Sequence, residues 1–216
     1  MGVLSGVLRG GFRWSGHRRD AVHATKSIAF IALALWLSLL SGLSVLPAHA
    51  QQTSSTPVWV STALAQPRLL GSSRFTYWGF EVYQASLWVA GDFKLARMND
   101  HAYALELRYL RNFKGKDIAQ RSLDEMRRQS GFDAARAPVW LKHMQDAFPD
   151  VKEGDRLSGI HLPGQGVRFL FNGQALTEVN DVDFARVFFG IWLSEQTSEP
   201  KLRQALLGPV MVATQP

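Results

Sequence analysis

Two side chains near the start of the folded part of the chain could together bind an anion: Arg74 and Tyr83. If Trp78-Gly79 forms a two-residue turn between two strands, Arg74 lies directly opposite Tyr83 and both side chains share one face of the hairpin. Directly opposed side chains have Cβ atoms about 4.5–5.5 Å apart. A guanidinium and a phenol at that distance could hold one carboxylate. An odd-numbered loop or a bulge would break this register. The alternative interpretation is that Arg74 pairs with Glu81 or lies on the exposed sheet face, and that Tyr83 only packs.

Residues for acid–base or cofactor chemistry are few and scattered. Tyr109, Glu125 and Asp183 could each supply an acid or a base, but only if the fold brings them together. The chain has no cysteine, which excludes disulfides, thiolate zinc sites and cysteine nucleophiles. The one Gly-Lys pair, Gly115-Lys116, lacks the flanking residues of a phosphate-binding loop. We therefore expect neither a metal nor a nucleotide cofactor.

The basic charge of the chain belongs mostly to its N-terminus. The formal net charge is +6, but residues 1–50 hold five Lys and Arg residues against one Asp. Residues 51–216 therefore carry about +2, which is too little to favour electrostatic capture of nucleic acid. We expect no nucleic-acid partner.

The first 50 residues have the order of a secretory signal peptide. Basic residues up to Lys26 precede an uncharged apolar stretch, 28–46, and Ala48 and Ala50 supply a small-x-small cleavage pattern. We predict cleavage after Ala50, a periplasmic location and no membrane partner afterwards. The alternative is a retained membrane helix, because 19 residues at about 1.5 Å each nearly span a bilayer core.

The remaining chain divides into a predicted flexible start, residues 51–66, and one domain, residues 67–210. Period-two alternation and turn signals predict strands, and Asn172-Gly173 is the strongest hairpin signal. The predicted strands are 68–77, 80–90, 103–109, 156–162, 167–171 and 174–179.

Helical periodicity predicts an amphipathic helix after Gly115, a second from Pro138 to Phe148, an apolar helix over 182–193 capped by Asp181, and a short last helix from Pro200. Strands and helices in this order predict an α+β fold in which helices pack on an antiparallel sheet as an open-faced sandwich.

Several segments in order resemble the chalcone isomerase superfamily, and its exported bacterial chalcone isomerase-like branch in particular. They cover roughly residues 69–208. The segments are Leu70-Gly71-Ser72-Ser73-Arg74-Phe75, Val82-Tyr83-Gln84-Ala85-Ser86-Leu87-Trp88, Gly115-Lys116-Asp117-Ile118-Ala119, Phe171-Asn172-Gly173 and Phe188-Phe189-Gly190-Ile191-Trp192-Leu193.

The resemblance implies an apolar ligand cleft between sheet and helices. The plant enzymes of the superfamily close a flavanone ring, whereas its fatty-acid-binding relatives hold a carboxylate with an arginine and a tyrosine. Arg74 and Tyr83 match that binding pair. Ile118 and Glu125 stand near the places of the enzymes' tyrosine and asparagine, and Asp183 stands roughly where they have a serine or threonine.

These departures favour a non-catalytic periplasmic protein that binds a small amphipathic or carboxylate ligand, such as a fatty acid, through Arg74 and Tyr83. An isomerase of intramolecular lyase type is the first alternative, and an envelope scaffold protein without a ligand is the second. Trp88, Phe169 and Phe188 are candidate wall residues of the cleft.

Overall fold

The computed structural model describes residues 56–208. The predicted signal peptide and its cleavage site lie outside the described residues. All the structure described below belongs to the unit Gln51–Pro216.

A six-stranded antiparallel sheet forms the centre of the fold, with its strands in sequence order from one edge to the other. Each strand pairs with the next along the chain, so that every connection joins neighbouring strands. The strand predictions are confirmed to within about one residue at each end. The strands are β1 Arg68–Tyr77, β2 Phe80–Val89, β3 Tyr103–Tyr109, β4 Arg156–Leu162, β5 Gly166–Phe171 and β6 Gln174–Val179.

Five α-helices accompany the sheet: α1 Val58–Ala63, α2 Gly115–Met126, α3 Ala137–Ala147, α4 Val182–Leu193 and α5 Pro200–Leu207. A short 3₁₀ segment, Leu95–Asp100, lies between β2 and β3. No helix within residues 56–208 is long and apolar enough to cross a bilayer. The prediction of an α+β open sheet covered by helices is confirmed.

Helices α2 to α5 cover one face of the sheet, and the larger hydrophobic cluster lies between them and the strands. Helix α4 is buried on more than one side, as its apolar sequence predicts. Helix α5 approaches β1 so closely that a Cβ at Gly71 would lie 2.2 Å from the carbonyl oxygen of Ala205. Only glycine fits that position without moving the helix away from the strand.

The opposite face of the sheet is partly covered by α1. Val60 and Leu64 are buried there in a smaller cluster with Trp88, Ile160 and Leu170. The prediction of a flexible start over residues 51–66 is therefore wrong for the part that the structure describes. The apolar residues of this short segment have a sheet face to cover, and that tertiary contact is invisible in local sequence.

Asp181 fixes the start of α4, as predicted. Its Oδ1 accepts a hydrogen bond from the backbone N–H of Phe184 at 3.0 Å, which satisfies one of the unpaired donors of the first helical turn. Its Oδ2 accepts a hydrogen bond from the indole N–H of Trp140 at 2.8 Å and pairs with Arg136. One carboxylate therefore caps α4 and joins it to α3.

Candidate functional site

A cavity of about 300 Å³ lies between the sheet and helices α2 and α4. This volume is at the lower end of the range of about 300–1,000 Å³ that small-molecule sites occupy. Leucines of β3 form part of its floor, and residues of α2 and α4 form its roof. Six phenylalanines contribute to its wall: Phe75, Phe113, Phe148, Phe169, Phe188 and Phe189.

The aromatic wall is packed edge to face. The ring centres of Phe148 and Phe169 are 5.1 Å apart, and those of Phe169 and Phe188 are 5.2 Å apart, both with nearly perpendicular planes. This is a favourable arrangement of aromatic pairs, so the wall is held in a defined shape. An apolar group that enters the cavity meets a surface that already exists.

One part of the cavity lining is polar. The indole N–H of Trp192 donates a hydrogen bond to the phenol oxygen of Tyr83 at 3.0 Å. Arg121, Glu125 and Glu199 also line the cavity, and their charges act on Tyr83. We call these five residues the polar mouth. The phenol of Tyr83 keeps its own proton for donation to a ligand, because its oxygen is the acceptor in the bond to Trp192.

Burial keeps the phenols of the cavity neutral. Loss of solvent raises the pKa of Tyr83 well above its usual range, and the nearby carboxylates of Glu199 and Glu125 raise it further. The same loss of solvent raises the pKa of Tyr109, with a further contribution from Tyr83. Both side chains are therefore hydrogen-bond donors at neutral pH.

The charges of the polar mouth are arranged around one cation. Arg121 forms an ion pair with Glu125, with Nη2 2.7 Å from Oε1. Glu125 Oε2 is buried without a hydrogen-bond partner, and the Nε of Arg128 lies 3.7 Å from it. Glu199 is also close, and its pKa is raised by loss of solvent and then by the charge of Glu125, while Arg121 opposes the shift. Arg121 is the only basic residue among the described residues that line the cavity, and Asp117 adds a third carboxylate.

The predicted pairing of Arg74 with Tyr83 is wrong. The two-residue turn forms as expected, with Tyr77 opposite Phe80, but the register shifts after Thr76 and places Phe75 opposite Tyr83. Val82 is the extra residue of this bulge. Because successive side chains of a strand point to opposite faces, the shift by one residue removes Arg74 from the face that Tyr83 occupies.

Arg74 instead opposes Gln84 and forms an ion pair with Glu81. Its side chain is 54% exposed, and it is not among the residues that line the cavity. Tyr83 does line the cavity, with its ring 5.0 Å from that of Phe75. Of the predicted pair, only the tyrosine lies where it could contact a ligand in this cavity.

The three candidate acids and bases fall in two places. Tyr109 and Glu125 line the cavity, whereas Asp183 lies on the surface and pairs with Arg136 and Arg186. Among the predicted wall residues, Phe169 and Phe188 line the cavity, and Trp88 lies in the smaller cluster on the other face of the sheet. The wall prediction is therefore correct for Phe169 on β5 and Phe188 on α4, and wrong for Trp88.

Sequence reasoning missed Arg121 and Glu199. The helical pattern of α2 placed Arg121 off the apolar stripe, and its side chain is 60% exposed. Its role in the polar mouth follows from its position one helical turn before Glu125, at the edge of the buried face. Glu199 lies at the start of α5 and comes near Tyr83 only through the tertiary fold.

The described residues contain no group of three or more His, Asp or Glu side chains that could hold a metal ion. The donors and acceptors of the cavity are phenols, an indole, carboxylates and one guanidinium. These groups can orient an organic ligand by hydrogen bonds and charge, and the aromatic wall can bury its apolar part.

The structure is an α+β protein in which the helical side of an antiparallel sheet encloses an apolar cavity with a polar mouth. The family model for chalcone isomerase-like proteins matches residues 57–208. The chain belongs to the chalcone isomerase-like family. The matched region begins just before α1 and so includes the helix on the outer face of the sheet.

The chain is also similar to two individual proteins. It is 31% identical over 139 residues to an uncharacterized protein of Haemophilus influenzae, and the match covers 64% of this chain and 67% of that one. The fold is similar to the crystal structure of an Arabidopsis thaliana fatty-acid-binding protein, with a TM-score of 0.50 and 13% identity over 67% of this chain and 89% of that one. At that identity the second likeness concerns the fold alone.

Proposed function

We propose that this protein binds a small amphipathic ligand, such as a fatty acid, and that it does so without catalysis. The observation that carries this proposal is the cavity itself: about 300 Å³ of space with an aromatic and aliphatic wall and polar groups concentrated at its mouth. A site of this kind accepts an apolar chain and orients one polar head. The fatty-acid-binding protein of similar fold supports the choice of ligand class.

The head group would lie at the polar mouth. Tyr83 can donate its phenol proton, and Arg121 can donate to a carboxylate or a carbonyl. Because Glu125 already pairs with Arg121, a ligand carboxylate has to compete for that guanidinium. A hydroxyl or ester head would not face this competition, and the apolar chain would supply most of the affinity for either kind of ligand.

Blocking the cavity should reduce binding whatever the head group is. We expect Ile118→Trp, on the cavity side of α2, to weaken dodecanoate, dodecanol and methyl dodecanoate by about tenfold each. Displacing two methylenes at about 0.8 kcal/mol each produces a change of that size. Calorimetric titration measures it, and thermal melting checks that the variant is folded.

The matched control is Val139→Trp, which adds the same indole at a β-branched position of α3 that is 55% exposed. It should leave all three affinities unchanged. If the wild-type protein binds none of the three ligands, or if Ile118→Trp and Val139→Trp have equal effects, the cavity is not a ligand site.

We further propose that the protein is exported and acts in the periplasm. Its support is the order of basic, apolar and small residues over 1–50. Sequencing the N-terminus of the protein from the envelope fraction should find Gln51 first. A chain that keeps residues 1–50 in the inner membrane would contradict this proposal.

An isomerase of intramolecular lyase type is the second candidate, and one observation favours it. Glu125 presents a buried carboxylate oxygen without a hydrogen-bond partner at the cavity, where it could act as a base, and the neutral phenols of Tyr83 and Tyr109 could act as acids. Robust ring closure of a chalcone by the purified protein, lost in Glu125→Gln, would establish this candidate in place of the first.

A further inference from the structure

The turn between β1 and β2 presents large aromatic side chains to solvent. Tyr77 is 50% exposed, Trp78 is 84% exposed and Phe80 is 60% exposed. We call residues 77–80 the aromatic tip. Single exposed apolar residues are normal on a protein surface, but three aromatic rings on one four-residue turn form a patch that marks an interaction site.

The conformation of Trp78 shows that the fold does not require a tryptophan there. Its φ is +51° and that of Gly79 is +80°, and a positive φ is unusual for a bulky residue. The turn between β5 and β6 has nearly the same geometry, with φ of +50° at Asn172 and +82° at Gly173. Asparagine followed by glycine is the favoured sequence for such a turn.

Trp78 therefore occupies a position where asparagine would suit the backbone better. Its indole gains little packing in return, because most of its surface faces solvent. A residue that is unfavourable for the turn and unpacked in the fold needs a contact outside the molecule.

Basic side chains surround the aromatic tip. The guanidinium carbon of Arg111 lies 4.7 Å from the ring centre of Phe80, and that of Arg121 lies 5.8 Å from the ring centre of Tyr77. The connection from β3 to α2, residues 110–114, contains Arg111 and Lys114, of which Lys114 pairs with Asp150. Lys116 follows in the first turn of α2, next to Asp117. This connection runs beside the hairpin, since the N–H of its first residue bonds to the carbonyl of Val82.

We propose that the aromatic tip docks on the surface of an anionic lipid bilayer. Tryptophan and tyrosine favour the head-group level of a membrane, and adjacent arginine and lysine side chains pair with anionic lipid phosphates. The basic side chains near the aromatic tip complement an anionic lipid surface, whereas they would gain nothing from an uncharged protein surface. The proposal departs from our expectation of no membrane partner, which considered only spanning segments.

The aromatic tip is continuous with the polar mouth of the cavity. Arg121 of the polar mouth has its guanidinium near the ring of Tyr77, and the ring of Phe75 in the cavity wall lies 6.5 Å from the ring of Tyr77. Docking would therefore turn the mouth towards the bilayer, where an amphipathic ligand can enter or leave. This last step rests on the proposed function, whereas the docking itself does not.

Vesicle flotation tests the docking with the chain from Gln51, which contains the whole sheet and both hydrophobic clusters. Wild-type protein should float with vesicles of phosphatidylglycerol and phosphatidylethanolamine, and much less with phosphatidylcholine alone. Trp78→Asn should weaken binding at least tenfold while its melting temperature stays equal or rises, because asparagine suits the turn. Leu176→Asn, at an exposed leucine on β6, is the matched control and should bind as wild type does.

Brominated lipids report which ring enters the head-group region. Part of the wild-type tryptophan fluorescence should be quenched by them, and that part should disappear in Trp78→Phe, which keeps an aromatic ring and should still float. Absence of wild-type binding to anionic vesicles, or unchanged binding by Trp78→Asn, would overturn the proposal. So would self-association in solution that Trp78→Asn abolishes without any vesicle binding. Dodecanoate titration of the same samples without vesicles tests the proposed function separately.

Discussion

Asp181→Ala should lower the free energy of unfolding by about 3 kcal/mol, whereas Asp183→Ala, two residues further on, should cost less than about 1 kcal/mol. Loss of an N-cap side chain costs about 0.5–2 kcal/mol. A buried donor left without its acceptor costs about 1–3 kcal/mol, and Trp140, which would lose its acceptor, is fully buried. The ion pair with Arg136 adds little, since that guanidinium side chain is 40% exposed.

Asp183 is the matched control because it has the same charge and pairs with the same arginine, but it caps nothing and is 60% exposed. Denaturant unfolding measures both values, and in a thermal scan about 3 kcal/mol corresponds to a decrease in Tm of about 6–12 °C. Equal costs for the two variants would mean that the cap and the bond to Trp140 do not hold α4 in place.

This stability prediction also concerns the site. Helix α4 supplies Phe188, Phe189, Ile191 and Trp192 to the cavity lining. A loosened start of α4 should therefore weaken ligand binding in Asp181→Ala even at temperatures where the variant is folded.

The strands and helices could be predicted from the sequence because their signals are local. Period-two alternation marks β3, Asn172-Gly173 marks the turn into β6, and Asp181 before an apolar run marks the start of α4. Each of these signals lies within a few residues of the element that it specifies. The order of elements and the resemblance then sufficed for the fold class.

The site was harder to predict because two of its features depend on distant contacts. The bulge at Val82 lies beside the point where the chain after β3 bonds to the hairpin, through the N–H of Leu110 and the carbonyl of Val82. A shift of one residue there exchanges Arg74 for Phe75 on the cavity face. No feature of the hairpin sequence itself indicates this shift.

The polar mouth is the second feature of the site that depends on contacts between residues far apart in sequence. Tyr83 on β2, Trp192 on α4 and Glu199 before α5 are far apart in sequence, and the packing of helices on the sheet brings them together. The sequence therefore predicted two members of the mouth, Tyr83 as a binding residue and Glu125 as a candidate acid or base, but it paired Tyr83 with the wrong arginine.

A charge reversal at Arg121 should weaken the binding of a carboxylate ligand much more than the binding of the matched ester. In Arg121→Glu we expect the affinity for dodecanoate to fall about thirtyfold or more, while that for methyl dodecanoate changes less than about twofold. Two unit charges 4 Å apart interact by about 1 kcal/mol in water and about 4 kcal/mol at an effective dielectric constant of 20. A change of two charge units at a partly exposed position thus costs a carboxylate at least about 2 kcal/mol, which is about thirtyfold.

Arg74→Glu is the matched control and also tests our initial assignment of Arg74 to ligand binding. It makes the same change of charge on a side chain of similar exposure, 54% against 60% for Arg121. Arg74 lies outside the cavity lining and opposes Gln84, so we expect dodecanoate to bind this variant almost as well as wild type. If Arg74→Glu instead loses dodecanoate and Arg121→Glu keeps it, the carboxylate binds on the outer face of the hairpin and the cavity mouth is not its site.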